Sequence, residues 1–145
     1  NKLCGASRPG HFNGVLTVVM KLLNLVDADR AYFGEKDYQQ FQLIKDMAQA
    51  FFMTTLIVPC PTIREHDGLA ASSRNLNLTD TNRQLAPNFI RHLRSGKNVQ
   101  GVIADLNADG FKVDYVEDIG DRRYGAVYLG SVRLIDNISL KEIAS

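Results

Sequence analysis

Residues 30–61 read RAYFGEKDYQQFQLIKDMAQAFFMTTLIVPCP, and the way this stretch is punctuated sets the fold class. Arg30 to Phe33 is a short strand candidate that ends at Gly34. A helix is predicted from about Asp37 to Phe51, because Phe41, Ile44, Met47 and Ala48 recur at three- and four-residue steps and share one face. Thr55 to Val58 is apolar and β-branched, a second strand that Pro59 and Pro61 are expected to end. Strand, helix, strand in this order is a βαβ unit, with parallel strands joined by a right-handed crossover.

Toward the N-terminus, Val15, Val18, Val19, Leu22, Leu23 and Val26 fall on one side of a helix spanning about Gly14 to Val26, with Thr17, Lys21 and Asn24 opposite. Residues 1–13 are polar and turn-rich around Ser7-Arg8-Pro9-Gly10-His11. Toward the C-terminus, Thr62 to Asn77 is irregular and polar, with Gly68 as a possible flexible point. Thr79 is placed to cap a helix that runs to about Arg94, with Leu85, Phe89, Ile90 and Leu93 inward and a kink at Pro87. Val99, Val102, Ile103 and Leu106 mark another helix, closed by Gly110. Phe111–Glu117, Ala126–Leu129 and Val132–Asp136 are short strands joined by turns, which predicts an antiparallel sheet.

The fold class is therefore α/β, with a boundary expected near Pro61–Thr62, where βαβ gives way to helices plus antiparallel strands. Two parallel strands do not make a stable sheet alone, because such strands are normally buried on both faces of a larger sheet. Residues 1–61 are accordingly expected to be the last part of a doubly wound domain whose earlier strands precede Asn1. The lack of an initiator Met fits that expectation.

Composition narrows the function classes. Of 145 residues, 45% are apolar and 23% charged, as in a globular chain, and the net charge is +1. So small a charge gives no support to bulk electrostatic binding of nucleic acid or anionic membrane. No apolar run has the length of a membrane span. Cys4 and Cys60 form neither a metal-ligand spacing nor a disulfide framework, and two free thiols suit a reducing, cytoplasmic location.

Chemistry-bearing residues sit in two segments. In Phe33-Gly34-Glu35-Lys36-Asp37 a strand ends at glycine and a helix begins. Ligands of open α/β sheets bind beyond the carboxyl ends of strands, and a helix N-terminus favours phosphate. The alternative is a plain turn with Asp37 as a cap. There is no Gly-x-x-x-x-Gly-Lys-Ser/Thr run, so any phosphate site here is not a P-loop. In Asp67-Gly68-Leu69-Ala70-Ala71-Ser72-Ser73-Arg74-Asn75, two hydroxyls and a guanidinium could wrap a polyphosphate, or form a polar surface loop. Gln40 could offer an amide to a small polar substrate or lie on a solvated helix face. His11, His66 and His92 have no metal-site spacing. Arg83, Arg91, Arg94 and Lys97 are accounted for by the helix dipole.

Taken together, Arg8-Pro9-Gly10-His11-Phe12-x-Gly14, Phe33-Gly34-Glu35-Lys36-Asp37-Tyr38-Gln39-Gln40 and Asp67-Gly68-Leu69-Ala70-x-Ser72-Ser73-Arg74-Asn75 resemble the pantothenate synthetases, or pantoate–β-alanine ligases. Leu78-Thr79, Ala86-Pro87 and Arg133-Leu134-Ile135-Asp136-Asn137 fit as well. The resemblance covers nearly the whole chain but only the C-terminal part of the family. It implies a Rossmann-like domain of the nucleotidyltransferase superfamily ending near residue 61, and a small C-terminal lid domain over residues 62–145. It implies condensation of pantoate with β-alanine through a pantoyl adenylate, with ATP and Mg²⁺ consumed as a complex and AMP and pyrophosphate released.

By motif match the resemblance assigns Gly34, Glu35, Lys36 and Asp37 to ATP, together with Ile63 through its backbone. Ala71, Ser72, Ser73 and Arg74 match the KMSKS-like loop. Lys36, Ser72, Ser73 and Arg74 would stabilise transition-state charge, and Gln40 would bind pantoate. It further implies a homodimer at full length, with no nucleic acid or membrane partner. Ala71 stands where the family usually has Met, the region from Arg94 to Tyr124 is short, and the family's catalytic His motif would precede Asn1. The chain alone is therefore expected to be inactive and to need an N-terminal half. Another adenylate-forming enzyme of the superfamily, or a non-catalytic nucleotide-binding module, is the alternative reading.

Overall fold

The structure, a computed structural model, describes residues 11–143. Cys4 and most of the segment around Arg8-Pro9-Gly10 lie outside them. The chain divides into two compact units, Asn1–Pro61 and Thr62–Ser145.

The first unit contains α1 (His11–Val26), β1 (Arg30–Gly34), a 3-10 turn (Glu35–Asp37), α2 (Tyr38–Ala50) and β2 (Leu56–Cys60). β1 and β2 are parallel, with Tyr32 opposite Val58 and Phe33 opposite Pro59. The second strand thus continues through Pro59 rather than stopping before it. Proline is admitted because β2 is an edge strand among the described residues, so an N–H can be spared. The apolar face of α2 is buried as its spacing predicts: Phe41, Ile44, Met47 and Ala48 all lie in the core with Leu23 and Ile57. α1 departs from the expected face. Leu16, Val19, Met20 and Leu23 pack inward, whereas Val18, Leu22, Leu25 and Val26 are exposed. Its apolar residues cover more than one face, and periodicity cannot say which of them meets a partner.

The second unit opens with an extended loop and a 3-10 turn (Ser73–Asn77). Three short helices follow: α3 (Asp80–Leu85), α4 (Asn88–Leu93) and α5 (Val99–Ala108). Thr79 caps α3 by accepting the Asn82 N–H. The single helix expected from Thr79 to Arg94 is two, because Pro87, lacking an N–H, ends one and starts the next. The strands β3 (Lys112–Ile119), β4 (Arg122–Leu129) and β5 (Val132–Ser139) form an antiparallel sheet with β4 central. All three are longer than the alternation suggested, since paired backbone extends past the apolar residues. Both hairpin loops open with glycine at positive φ, Gly120 at 61° and Gly130 at 62°, as tight two-residue turns require.

Phe89, Leu93, Val102 and Leu106 fill the core against Val116, Val127, Leu134 and Ile138. Arg123 on β4 is only 4% exposed. It donates to both Asp118 carboxylate oxygens at 2.8 and 3.0 Å and to the carbonyls of Leu93 and Ser95. One guanidinium thereby satisfies orphan carbonyls at the end of α4 and ties that helix to the sheet.

Candidate functional site

The site residues of the first unit follow one another at the carboxyl end of β1. Gly34 is extended (φ −68°, ψ 133°), and a Cβ built there would meet nothing within 4 Å. Neither backbone conformation nor packing among the described residues calls for glycine. Its effect is to leave the strand end uncovered by a side chain. Glu35, Lys36 and Asp37 make the 3-10 turn, and α2 begins only at Tyr38. Asp37 does not cap that helix: its backbone (φ −99°, ψ 54°) departs from the extended geometry that brings a capping oxygen to the first N–H groups. Its carboxylate instead lies 3.9 Å from the Lys36 ammonium. Gln40 is half-buried within the first turn of α2.

In the second unit, Ile63 and Ala71 are brought together by a short hairpin. The Ala71 N–H donates to the Ile63 carbonyl at 2.9 Å, and the Glu65 N–H to the Leu69 carbonyl at 2.8 Å. Gly68 makes the turn at φ +92°, a conformation that only glycine adopts without cost. Its N–H donates to the Glu65 carbonyl, and its own carbonyl accepts from Arg64 Nη1. Gly68 is thus a turn with a hydrogen bond on each side. Ile63 is 75% exposed. Ser72 is extended, and its Oγ accepts the Arg74 N–H at 3.3 Å, opening the 3-10 turn. That contact uses a lone pair of Ser72 and leaves its O–H to donate elsewhere. Ser73 and Arg74 are exposed.

What holds this loop escaped the sequence reading. Arg83 on α3 spreads its fork over two carboxylates, Nη1 to Asp67 Oδ2 and Nη2 to Glu65 Oε2, each at 2.6 Å. The dipole explanation of Arg83 is therefore replaced by a bond between elements. The other Glu65 oxygen accepts from Asn75 Nδ2 at 2.8 Å, and the same amide nitrogen donates to the Ala70 carbonyl. Asn75 is 7% exposed, and its Oδ1 is buried without a hydrogen-bond partner. Arg64 reaches across to β5, binding both oxygens of Asp136, whose side chain is 1% exposed.

These contacts set the local electrostatics. The Asn75 and Arg83 hydrogen bonds hold the Glu65 carboxyl below its ordinary range. Burial pushes Asp67 upward, but the Arg83 and Leu69 hydrogen bonds outweigh it and the net shift is downward. Arg83 is raised in turn, chiefly by Asp67 and then by Glu65. His92 is structural: Nε2 lies 2.8 Å from Asp109 and holds that carboxyl low, which links α4 to the end of α5. The only hint of this network in the sequence is the density of opposite charges at Arg64-Glu65 and Asp67, with no way to foresee which arginine meets which acid.

The order of these segments is that of a known family, whose model for pantoate-beta-alanine ligase matches residues 1–139. The chain belongs to the pantoate-beta-alanine ligase family. It is 56% identical over 138 residues to a pantothenate synthetase of Bdellovibrio bacteriovorus, which covers 95% of this chain and 55% of that protein. A pantothenate synthetase of Legionella pneumophila is 52% identical over 136 residues, covering 94% and 54%. Among solved structures, the pantoate-beta-alanine ligase of Francisella tularensis, complexed with beta-gamma ATP and beta-alanine, superposes with a TM-score of 0.89 at 45% identity, over 97% of this chain and 55% of that one. The Thermus thermophilus pantothenate synthetase gives 0.85 at 37% identity, over 94% and 58%. The chain spans about half the length of the pantoate-beta-alanine ligases that it matches. The mixed α/β architecture, with a parallel pair of strands and a small antiparallel sheet, is that of these relatives.

Proposed function

We propose that this chain is part of a ligase that joins pantoate to β-alanine at the expense of ATP. The observation that carries the reading is the family match over residues 1–139. In this proposal residues 1–61 belong to a Rossmann-like domain that binds ATP and pantoate, and residues 62–145 to a small domain that covers the nucleotide. The portion that the relatives have in addition supplies the catalytic histidine and the remaining strands, and the complete ligase works as a homodimer in the cytoplasm.

The pantoate carboxylate attacks the α-phosphorus of ATP, the α–β anhydride bond breaks, and pyrophosphate leaves. The β-alanine amine then attacks the acyl carbon of pantoyl adenylate; the amide C–N bond forms, the acyl C–O bond breaks, AMP leaves with that oxygen and its electron pair, and the amine gives up a proton. Negative charge grows on the triphosphate in the first step. Lys36 and Arg74, helped by the Ser72 and Ser73 hydroxyls, are assigned to stabilise it. The uncovered strand end at Gly34 supports a close approach of the nucleotide to the backbone of Gly34, Glu35 and Asp37. Ile63 is assigned to the adenine side through its backbone, Ala71 with Ser72, Ser73 and Arg74 to the loop that contacts the phosphates, and Gln40 to pantoate.

Magnesium enters as part of the ATP complex. Among the described residues, no three His, Cys, Asp or Glu side chains are grouped as a metal site. The test is pyrophosphate release by the full-length ligase. Release that needs both pantoate and ATP, followed by AMP release on adding β-alanine, is the expected result. Pyrophosphate formed without pantoate, or with an unrelated acid in its place, would point to a different adenylate-forming enzyme.

A further inference from the structure

We propose that Arg83 is a positioning residue for the loop Ala71–Arg74, acting through Glu65, Asp67 and Asn75. The inference rests on the assignment of that loop to the nucleotide phosphates.

The loop has little apolar anchorage. Leu69 and Ala70 are buried, but Ile63 and Leu76 on either side are largely exposed. Packing anchors this stretch at Leu69 and Ala70 only, and Ala71 to Arg74 depend on hydrogen bonds for their placement. Two chains of bonds start at the Arg83 guanidinium. One runs through Glu65 to the Asn75 amide, whose Nδ2 also holds the Ala70 carbonyl and whose backbone N–H donates to the Ser72 carbonyl at 3.0 Å. The other runs through Asp67, whose second oxygen accepts the Leu69 N–H at 3.1 Å. The first chain ends on the Ala70 and Ser72 carbonyls and the second on the Leu69 N–H just upstream, and neither uses the Ser73 or Arg74 side chain.

The chemistry of the cluster favours a geometric role over a stabilising one. Arg83, Glu65 and Asp67 are each partly exposed, and ion pairs open to solvent add little to global stability. A planar fork bound to two separate carboxylates does, however, set their separation, which a lysine ammonium cannot. Asn75 has one amide and two acceptors to hold, so a shift of Glu65 moves Asn75, and Asn75 moves the start of the 3-10 turn that presents Arg74.

The test uses the full-length ligase with the variants Arg83→Gln, Arg83→Lys, Asn75→Ala and Arg74→Ala. Steady-state kinetics are measured for each substrate, with thermal unfolding alongside. Arg83→Gln is expected to lower kcat/KM for ATP about ten- to hundredfold, the usual range for displaced site groups. KM for β-alanine should stay within about twofold, a split that general destabilisation would not produce. Arg83→Lys should recover only part of the loss. Amide exchange at Ala71 and Asn75 should quicken in Arg83→Gln while that of α4 is unchanged. If Arg83→Gln does not fold, Asn75→Ala tests the longer of the two chains, because it leaves the Arg83 ion pairs and the Asp67–Leu69 bond standing and cuts the amide's hold on Glu65 and Ala70. Arg74→Ala separates the two levels of inference. If it impairs ATP use while folded Arg83→Gln and Asn75→Ala keep kcat/KM for ATP within twofold, the positioning proposal is overturned. If Arg74→Ala itself leaves ATP use intact, the phosphate assignment of the loop is wrong and the positioning role falls with it.

Discussion

Arg74 and Lys36 are both cations near backbone turns, but their surroundings differ. The Arg74 guanidinium is exposed, whereas Arg64, Arg83 and Arg123 are committed to carboxylates. The Lys36 side chain is largely covered and lies near the Asp37 carboxylate. If both groups serve charge that develops on the triphosphate, Ala at either position in the full-length ligase should lower kcat by about 10²–10³, or roughly 3–4 kcal/mol, with a smaller effect on KM for ATP. Single-turnover formation of pantoyl adenylate measures this directly, and a wild-type rate in both variants would remove them from the transition state. A second expectation at this scale concerns acid. Glu65 and Asp67 have carboxyls held below their ordinary values of 4.5 and 3.8. A depressed carboxyl stabilises the fold above its unfolded value, and that contribution is lost as pH falls through the folded value. The midpoint of thermal unfolding should therefore fall as pH drops below about 4.5, and fall less steeply in Arg83→Gln, whose carboxyls lack the partner. Equal slopes in the two proteins would mean that Arg83 does not set these titrations.

At the scale of elements, β4 and α4 meet at one glycine. A Cβ at Gly125 would lie 3.0 Å from Leu93 Cδ2 and from Phe89 Cε2. Both side chains are fully buried, so neither tip has open space to move into. Gly125→Ala should cost about 1–3 kcal/mol, the usual range for overpacking, read as a lower midpoint in urea with an unchanged slope. An unchanged midpoint would show that α4 can slide away from the sheet freely. Much at this scale was legible beforehand. The face of α2, the Thr79 cap and the three antiparallel strands follow from spacing, capping chemistry and alternation, all local properties. What was not legible is where chemistry depends on neighbours: β2 passing through Pro59, and helix breakage rather than kinking at Pro87.

For the whole molecule, the exposed apolar surface of the first unit bears on activity. Val18, Leu25, Val26, Tyr32, Phe51, Phe52 and Leu56 are all exposed, and Phe52 is 92% so. A two-stranded parallel pair flanked by such surface is less covered than parallel sheets usually are, and the chain spans only about half the length of its relatives. Residues 1–145 expressed alone should accordingly form AMP only at background rates in the presence of pantoate, β-alanine and MgATP. They should also bind a hydrophobic dye such as ANS more strongly than the full-length ligase does. Sustained, enzyme-dependent AMP formation by the isolated chain would contradict this.

The sequence by itself determined the element types, the place where βαβ gives way to antiparallel strands, and the two segments that carry the family's motifs. It could do so because period, capping residues and turn residues act over a few neighbouring positions. Only the tertiary structure decided which side of α1 is covered, that Gly68 forms a hydrogen-bonded turn, and that Arg83, Glu65, Asp67 and Asn75 form one network. Arg64 and Asp136 are 72 residues apart in the chain, and their bidentate pair ties the loop to β5. Hydrogen bonds between such distant groups leave no periodic trace in the sequence. Their partners are chosen by the directions in which packed elements happen to aim a guanidinium, and that is settled only when the chain has folded.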